Sequence, residues 1–224
     1  MRKYSIRFFY LMFGLIQFAL GVVITIQAHV GYAPWEVFHV GMSLSTGITV
    51  GSASIVAGVV IVVIVTIAGE KIGIGTLASI IVTGIAIDII ILLDIIPVAP
   101  NMAVGIVMLL VGLFINATGS YFYIKSSFGT GPRDSLMVVM KRKTRLPIGV
   151  CRSLLEITVT VVGWFLGGMV GIGTIVSAVA IGIFIQLVFK MFKFDVAAVE
   201  HEMIIQTLKN IRAGFRNAKS SNDK

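Results

Sequence analysis

Apolar residues run along this chain in six blocks long enough to cross a bilayer, at about 8–28, 50–69, 73–95, 102–124, 148–167 and 171–190. A helix needs roughly 20 consecutive apolar residues to span the hydrocarbon core, so each block reads as a transmembrane helix. The polar connections between them are short except at 29–49 and 125–147. Each of those opens on glycines and then a proline, Gly31-Tyr32-Ala33-Pro34-Trp35-Glu36 and Gly129-Thr130-Gly131-Pro132-Arg133-Asp134. Proline is favoured at the first position of a helix, and an acid in the first turn offsets the helix dipole. Short helices over 34–44 and 132–142 are therefore predicted, lying at the membrane interface. A further amphipathic segment at about 195–216 carries Val196, Val199, Ile204, Leu208, Ile211 and Phe215 at helical spacing. It is expected to lie on the membrane surface or to pack on the protein's own cytoplasmic face.

The pattern is written twice. Gly73-Ile74-Gly75-Thr76 recurs 98 residues later as Gly171-Ile172-Gly173-Thr174. The same offset carries Gly14 onto Gly112, Pro34 onto Pro132, Gly51 onto Gly149, Ser79 onto Ser177 and Gly84 onto Gly182. Fixed-offset self-similarity marks a duplicated unit. The expected organisation is a first three-helix repeat at 1–98, a second at 99–194 and a tail at 195–224. Because three spans is an odd number, the second repeat enters the membrane the other way up. The expected fold is all-α and polytopic: six transmembrane helices in two inverted three-helix repeats, each with a short interfacial helix.

Composition agrees. The chain is 57% hydrophobic and 12% charged, with a mean hydropathy of +1.02, whereas soluble domains are about 25% charged. The net charge of +8 would suggest nucleic acid in a soluble protein. Here the 18 Lys and Arg residues all fall on one side if six spans leave both termini inside, so they act as topology determinants and no nucleic-acid partner is expected. The Met1-Arg2-Lys3 start followed by an apolar run imitates a secretory signal. The run aligns with the fourth span, so it is expected to be retained. Cys151 is expected to be a packing residue.

Candidate chemistry is sparse. Arg152 and Glu156 stand four apart on the fifth span and share a helix face. A carboxylate near the bilayer centre costs several kcal/mol unless paired or wetted, so the pair is either a packing device or a proton or cation site. Asp88 on span three and its counterpart Gln186 on span six, with Asn116 and Gln17, are further polar groups within spans. Asp88 is read as functional; the amides are read as hydrogen-bonding between helices. The starts at Pro34-Trp35-Glu36 and Pro132-Arg133-Asp134 could hold an anionic group, although Glu36 and Asp134 already occupy those positive ends and capping is the stronger reading. The glycine-rich starts of spans three and six lack the lysine of a phosphate loop and read as helix-packing positions. His29 and His39 are too isolated for a metal site. No nucleophile set or cofactor motif is present, so neither an enzyme nor a cofactor is expected.

The run Gly129 to Met137, followed by Arg152, Glu156, Gly163-Trp164, Gly167-Gly168 and Gly171 to Thr174, resembles the YczE/YyaS/YitT family of bacterial integral membrane proteins. Gly31 with Pro34-Trp35-Glu36-Val37 and the Thr46-Gly47-Ile48-Thr49 stretch match the first-half pattern. The likeness is to the short YczE-like branch, without the soluble C-terminal domain of YitT-type members. It implies a bacterial plasma-membrane location and a loose link to small-molecule export. It makes Pro132, Arg133, Asp134, Arg152 and Glu156 signature positions and carries over no catalytic residue. The expected function is a secondary transporter exporting a small organic molecule, with Glu156 and Asp88 as proton-linked or substrate-facing acids. The rival expectation is a membrane accessory or scaffold protein acting through its basic loop and tail. The bilayer and an unknown small molecule are the expected partners, and a homodimer is compatible with the chain.

Overall fold

The structure is a computed structural model that describes residues 2–70, 72–129 and 131–194; the tail segment at 195–216 lies outside the described residues. Among them are eight helices and no strand: α1 (Arg2–Gln27), α2 (Pro34–Thr46), α3 (Val50–Ile67), α4 (Ile74–Leu92), α5 (Met102–Lys125), α6 (Pro132–Thr144), α7 (Ile148–Phe165) and α8 (Ile172–Met191). Helices α1, α3, α4, α5 and α8 are each long and apolar enough to cross a membrane. A sixth candidate is formed by α6 and α7 taken as a bent pair, turned through 118°. The chain is thus an all-helical, multi-pass membrane protein with five or six spans. Large apolar side chains lie exposed around the bundle, among them Ile67, Ile81, Val107, Ile157, Ile175 and Val179, as expected of surfaces solvated by lipid.

Local sequence sets the helix ends. Pro34 and Pro132 open α2 and α6 behind extended residues Ala33 and Gly131, with Glu36 and Asp134 in the first turns. Both helices stop on a left-handed residue, Gly47 at φ 76° and Arg145 at φ 60°. Each donates its backbone N–H back into the last turn, to Ser43 and Lys141, the C-cap that satisfies orphan carbonyls. Thr49 caps α3 by accepting from the Ser52 N–H, and Asn101 caps α5 by accepting from Val104.

The centre of the bundle is the α1–α5 pair, which supports α4 on the α1 side and α8 on the α5 side. Without an aqueous hydrophobic force between spans, close backbone approach through small residues is what holds such a pair. Gly14 and Gly21 of α1 face Gly119 and Gly112 of α5, so that a Cβ on Gly21 would lie 2.6 Å from the Asn116 nitrogen and 2.7 Å from the Gly112 carbonyl oxygen. Helix α3 packs on α4, α2 on α7, and α6 on α3. Loop contacts join the early and late parts of the chain: the Gly75 N–H donates to the Phe128 carbonyl at 2.8 Å, the Gly173 N–H to the Val30 carbonyl at 2.7 Å and the Tyr32 N–H to the Met169 carbonyl at 3.1 Å.

The expectation of interfacial short helices is corrected here. The segments leading into α2 and α6 lie against the starts of α8 and α4, and they thread inward so that the two proline ends meet inside the bundle. Glu36 is only 6% exposed, and Arg133 lies against Trp35 and Glu36. Helices resting on opposite membrane surfaces would stand about 30 Å apart and could not touch.

Candidate functional site: a charged central cavity

The meeting of these two proline ends builds one wall of a cavity of about 400 Å³, within the range of small-molecule pockets. From α2 come Pro34, Trp35, Glu36 and His39; from α6 come Pro132, Arg133 and Asp134. Helix α7 adds Arg152 and Glu156, and α5 adds Asn116, Ser120 and Tyr123. Thr25 of α1, Ser54 of α3, Ser79 and Thr83 of α4 and Ser177 of α8 complete the polar lining, while Phe18, Leu113, Ile181, Ile185 and Phe189 make an apolar face.

Arg133 is the hub of the charged wall. Its guanidinium carbon lies 4.5 Å from the centroid of the Trp35 ring, a cation–π geometry. One of its nitrogens stands 3.8 Å from Glu36 Oε1. On α7, Arg152 Nε donates to Glu156 Oε1 at 2.9 Å, one helical turn apart. Glu156 is near enough to Arg133 and Glu36 for their charges to act on one another. Three carboxylates, Glu36, Asp134 and Glu156, thus share one cavity with two guanidinium groups. Taking charges out of water is costly, and the residual exposure of Arg133 and Arg152 (32% and 45% of the side chain) lets water or a ligand offset part of that cost. The buried Tyr123 hydroxyl lies beside Ser79 without a hydrogen bond of normal geometry among the described residues.

The residues singled out from sequence separate into two groups. Glu156, Arg152, Asn116 and both proline motifs converge on the cavity. Asp88 lies outside its lining. Its Oδ1 accepts the Gly51 N–H at 2.7 Å and its Oδ2 the Thr49 hydroxyl at 2.5 Å, so this carboxylate fastens the start of α3 to α4. Asp88 and Gln186 both stand about one turn from the ends of their helices, α4 and α8; neither lines the cavity, and Gln186 is exposed. Gln17 donates to Thr118 across the α1–α5 seam at 2.6 Å, the interhelical role expected of it. His39, Tyr123, Ser120, Thr25 and the repeat-matched pair Ser79 and Ser177 were not marked as site residues by sequence reasoning. The usable signal was small polar residues at matched positions of two otherwise apolar spans.

Residues 5–190 match a family of unknown function (DUF6198). The chain is 33% identical over 177 residues to the uncharacterized membrane protein YczE of Bacillus subtilis, covering 77% of this chain and 80% of that one. It is 32% identical over 178 residues to an uncharacterized Haemophilus influenzae protein, covering 79% and 80%. It is 26% identical over 174 residues to YyaS of Bacillus subtilis, covering 76% and 86%. No solved structure matches the chain. With both YczE and YyaS among its relatives and nearly its whole described length matched, the chain belongs to the YczE-like family of membrane proteins (DUF6198).

Proposed function

We propose that the protein is a small-molecule secondary transporter of the bacterial plasma membrane, an exporter that binds its substrate in the central cavity. The observation that carries this reading is the pair of short helices whose N-terminal ends converge on a charged cavity inside the bundle. Broken helices ending at a mid-membrane site are a recurrent device of secondary transporters. Charges inside a membrane bundle are costly and mark ion or substrate paths.

The inverted repeat is part of the same reading, with units at 1–98 and 99–194. Helix ranges recur at the 98-residue offset, Pro34–Thr46 with Pro132–Thr144 and Val50–Ile67 with Ile148–Phe165. The hydrogen bonds Gly75 to Phe128 and Gly173 to Val30 exchange under that offset, which is what a two-fold axis produces. Trp35 and Arg133 are counterparts of one another and touch, as residues on such an axis do. For orientation, Arg7 donates to the Ser126 and Ser127 carbonyls at the end of α5. Arg142 bonds Glu70 and the Ala68 carbonyl at the end of α3. These contacts gather described basic residues at one end of the bundle, which supports cytoplasmic termini.

The chain has two tryptophans, and Trp164 is exposed on α7. A Trp164→Phe variant therefore leaves Trp35 as the sole tryptophan, on the cavity wall, and excitation at the red edge reads it apart from the tyrosines. Titrating this variant with a panel of amphipathic organic compounds is expected to give saturable Trp35 quenching by at least one compound, weakened tenfold or more by Glu156→Gln. A panel without saturable quenching would count against the cavity as a binding site.

A further inference from the structure

We propose that the seam between α7 and α8 is a lateral gate of the central cavity, open in this structure and closed in a second state by contact of Gly149 with Gly182. The proposal rests on the transport reading and deepens it by naming the route into the cavity.

The first half of the chain shows what a closed seam looks like. Helices α3 and α4 pack together. A Cβ on Gly51 would run into the Gly84 carbonyl oxygen, and a Cβ on Gly84 would lie 2.7 Å from the Gly51 carbonyl oxygen. Only glycine fits at both positions. Asp88, one turn beyond Gly84, holds the seam with two hydrogen bonds, from the Gly51 N–H at 2.7 Å and the Thr49 hydroxyl at 2.5 Å.

Ninety-eight residues later the same positions hold Gly149, Gly182 and Gln186. Among the described residues α7 and α8 do not pack extensively on one another, and a Cβ at Gly149 or at Gly182 would meet nothing within 4 Å. A glycine in a helix interior is destabilising relative to alanine, and Gly182, mid-helix in α8, gains no close contact in return among the described residues. A second state in which α7 meets α8 as α3 meets α4 accounts for both glycines. In that state the exposed Gln186 presents a side-chain carbonyl to the Gly149 N–H, as Asp88 does to Gly51. Pro147 stands where Thr49 stands in the first half, so the second hydrogen bond has no donor. The α7–α8 latch thus has one bond against two, and a neutral acceptor in place of a carboxylate. It is the weaker seam, suited to opening.

The open seam leads past Arg152 and Glu156 on α7 and Ile181 and Ile185 on α8. The outward faces of both helices are apolar, with Ile157, Val161, Ile175 and Val179 exposed. The opening therefore faces lipid, and the ligand class it admits is an amphipathic molecule that partitions into the bilayer with a polar head and an apolar body.

The test is a distance measurement that needs no substrate. Nitroxide labels at Ile157→Cys and Ile183→Cys, in a Cys151→Ser background in liposomes, are read by pulsed electron resonance. Two distances are expected, the shorter one corresponding to packed helices about 8–10 Å apart at their axes. Gly182→Leu should remove the shorter distance while leaving thermal stability within experimental error, since its side chain enters open space here. A single distance indifferent to Gly182→Leu would overturn the proposal. So would a short distance that vanishes on dilution with unlabelled protein, which would assign the seam to a second copy of the chain. Two states with Gly182→Leu trapping one, but no compound bound or moved, would uphold the gate and sink the transport reading alone.

Discussion

An Arg133→Gln substitution is expected to destabilise the protein by about 3 kcal/mol, the low end of the range for breaking a buried ion pair. The cost arises on the partner left behind. Glu36 is 6% exposed and loses both the guanidinium 3.8 Å away and the positive potential that offsets Glu156 nearby. Trp35 loses its cation–π neighbour. The low end applies because the cavity is open to solvent at Arg133. Thermal unfolding in detergent should show a clear fall in midpoint for Arg133→Gln. The double variant Arg133→Gln with Glu36→Gln should recover most of it, because the stranded charge is then gone. Equal midpoints for the single and double variants would mean that the pair does not hold the wall together.

Gly21→Leu is expected to abolish folding. The atoms a side chain would strike are all backbone, the Asn116 nitrogen and α-carbon and the Gly112 carbonyl oxygen, at 2.6–2.9 Å from the Cβ position. No rotamer change relieves such an overlap. The α1–α5 seam must open, at a cost above about 3 kcal/mol, beyond ordinary overpacking. Gly149→Ala is the matched control, since open space surrounds it. Size-exclusion profiles should show aggregation or loss of Gly21→Leu and a normal peak for Gly149→Ala. A normal profile for Gly21→Leu would show that α1 and α5 do not approach as described.

The helices were legible in the sequence because they are written in one dimension: apolar run lengths and prolines at 34 and 132. The short helices were placed with the right starts, and they end two residues later than expected, at Thr46 and Thr144. Their location was not legible. A proline followed by an acid reads equally well as a surface cap, and only the three-dimensional path of the chain carries Glu36 to Arg133. The same limit explains Asp88. Counting along α4 gives its position in the span, but not that the N-terminal end of α3 arrives beside it and takes both carboxylate oxygens. Arg152 and Glu156 were recognisable as a pair from their spacing alone. Their partnership with α2 and α6 required the fold.

The proposed transport function requires that the charged cavity move an organic molecule. Purified protein in liposomes loaded with a pH-sensitive dye, under an imposed proton gradient and with the amphipathic panel outside, tests it most directly. Wild type is expected to show compound-dependent proton flux, and Glu156→Gln, which keeps the side-chain volume, is expected to remain folded and show none. Flux by Glu156→Gln equal to wild type would remove Glu156 from the path. No flux with any compound from folded wild type would contradict the claim and turn attention to the basic loop and tail as a partner-binding surface.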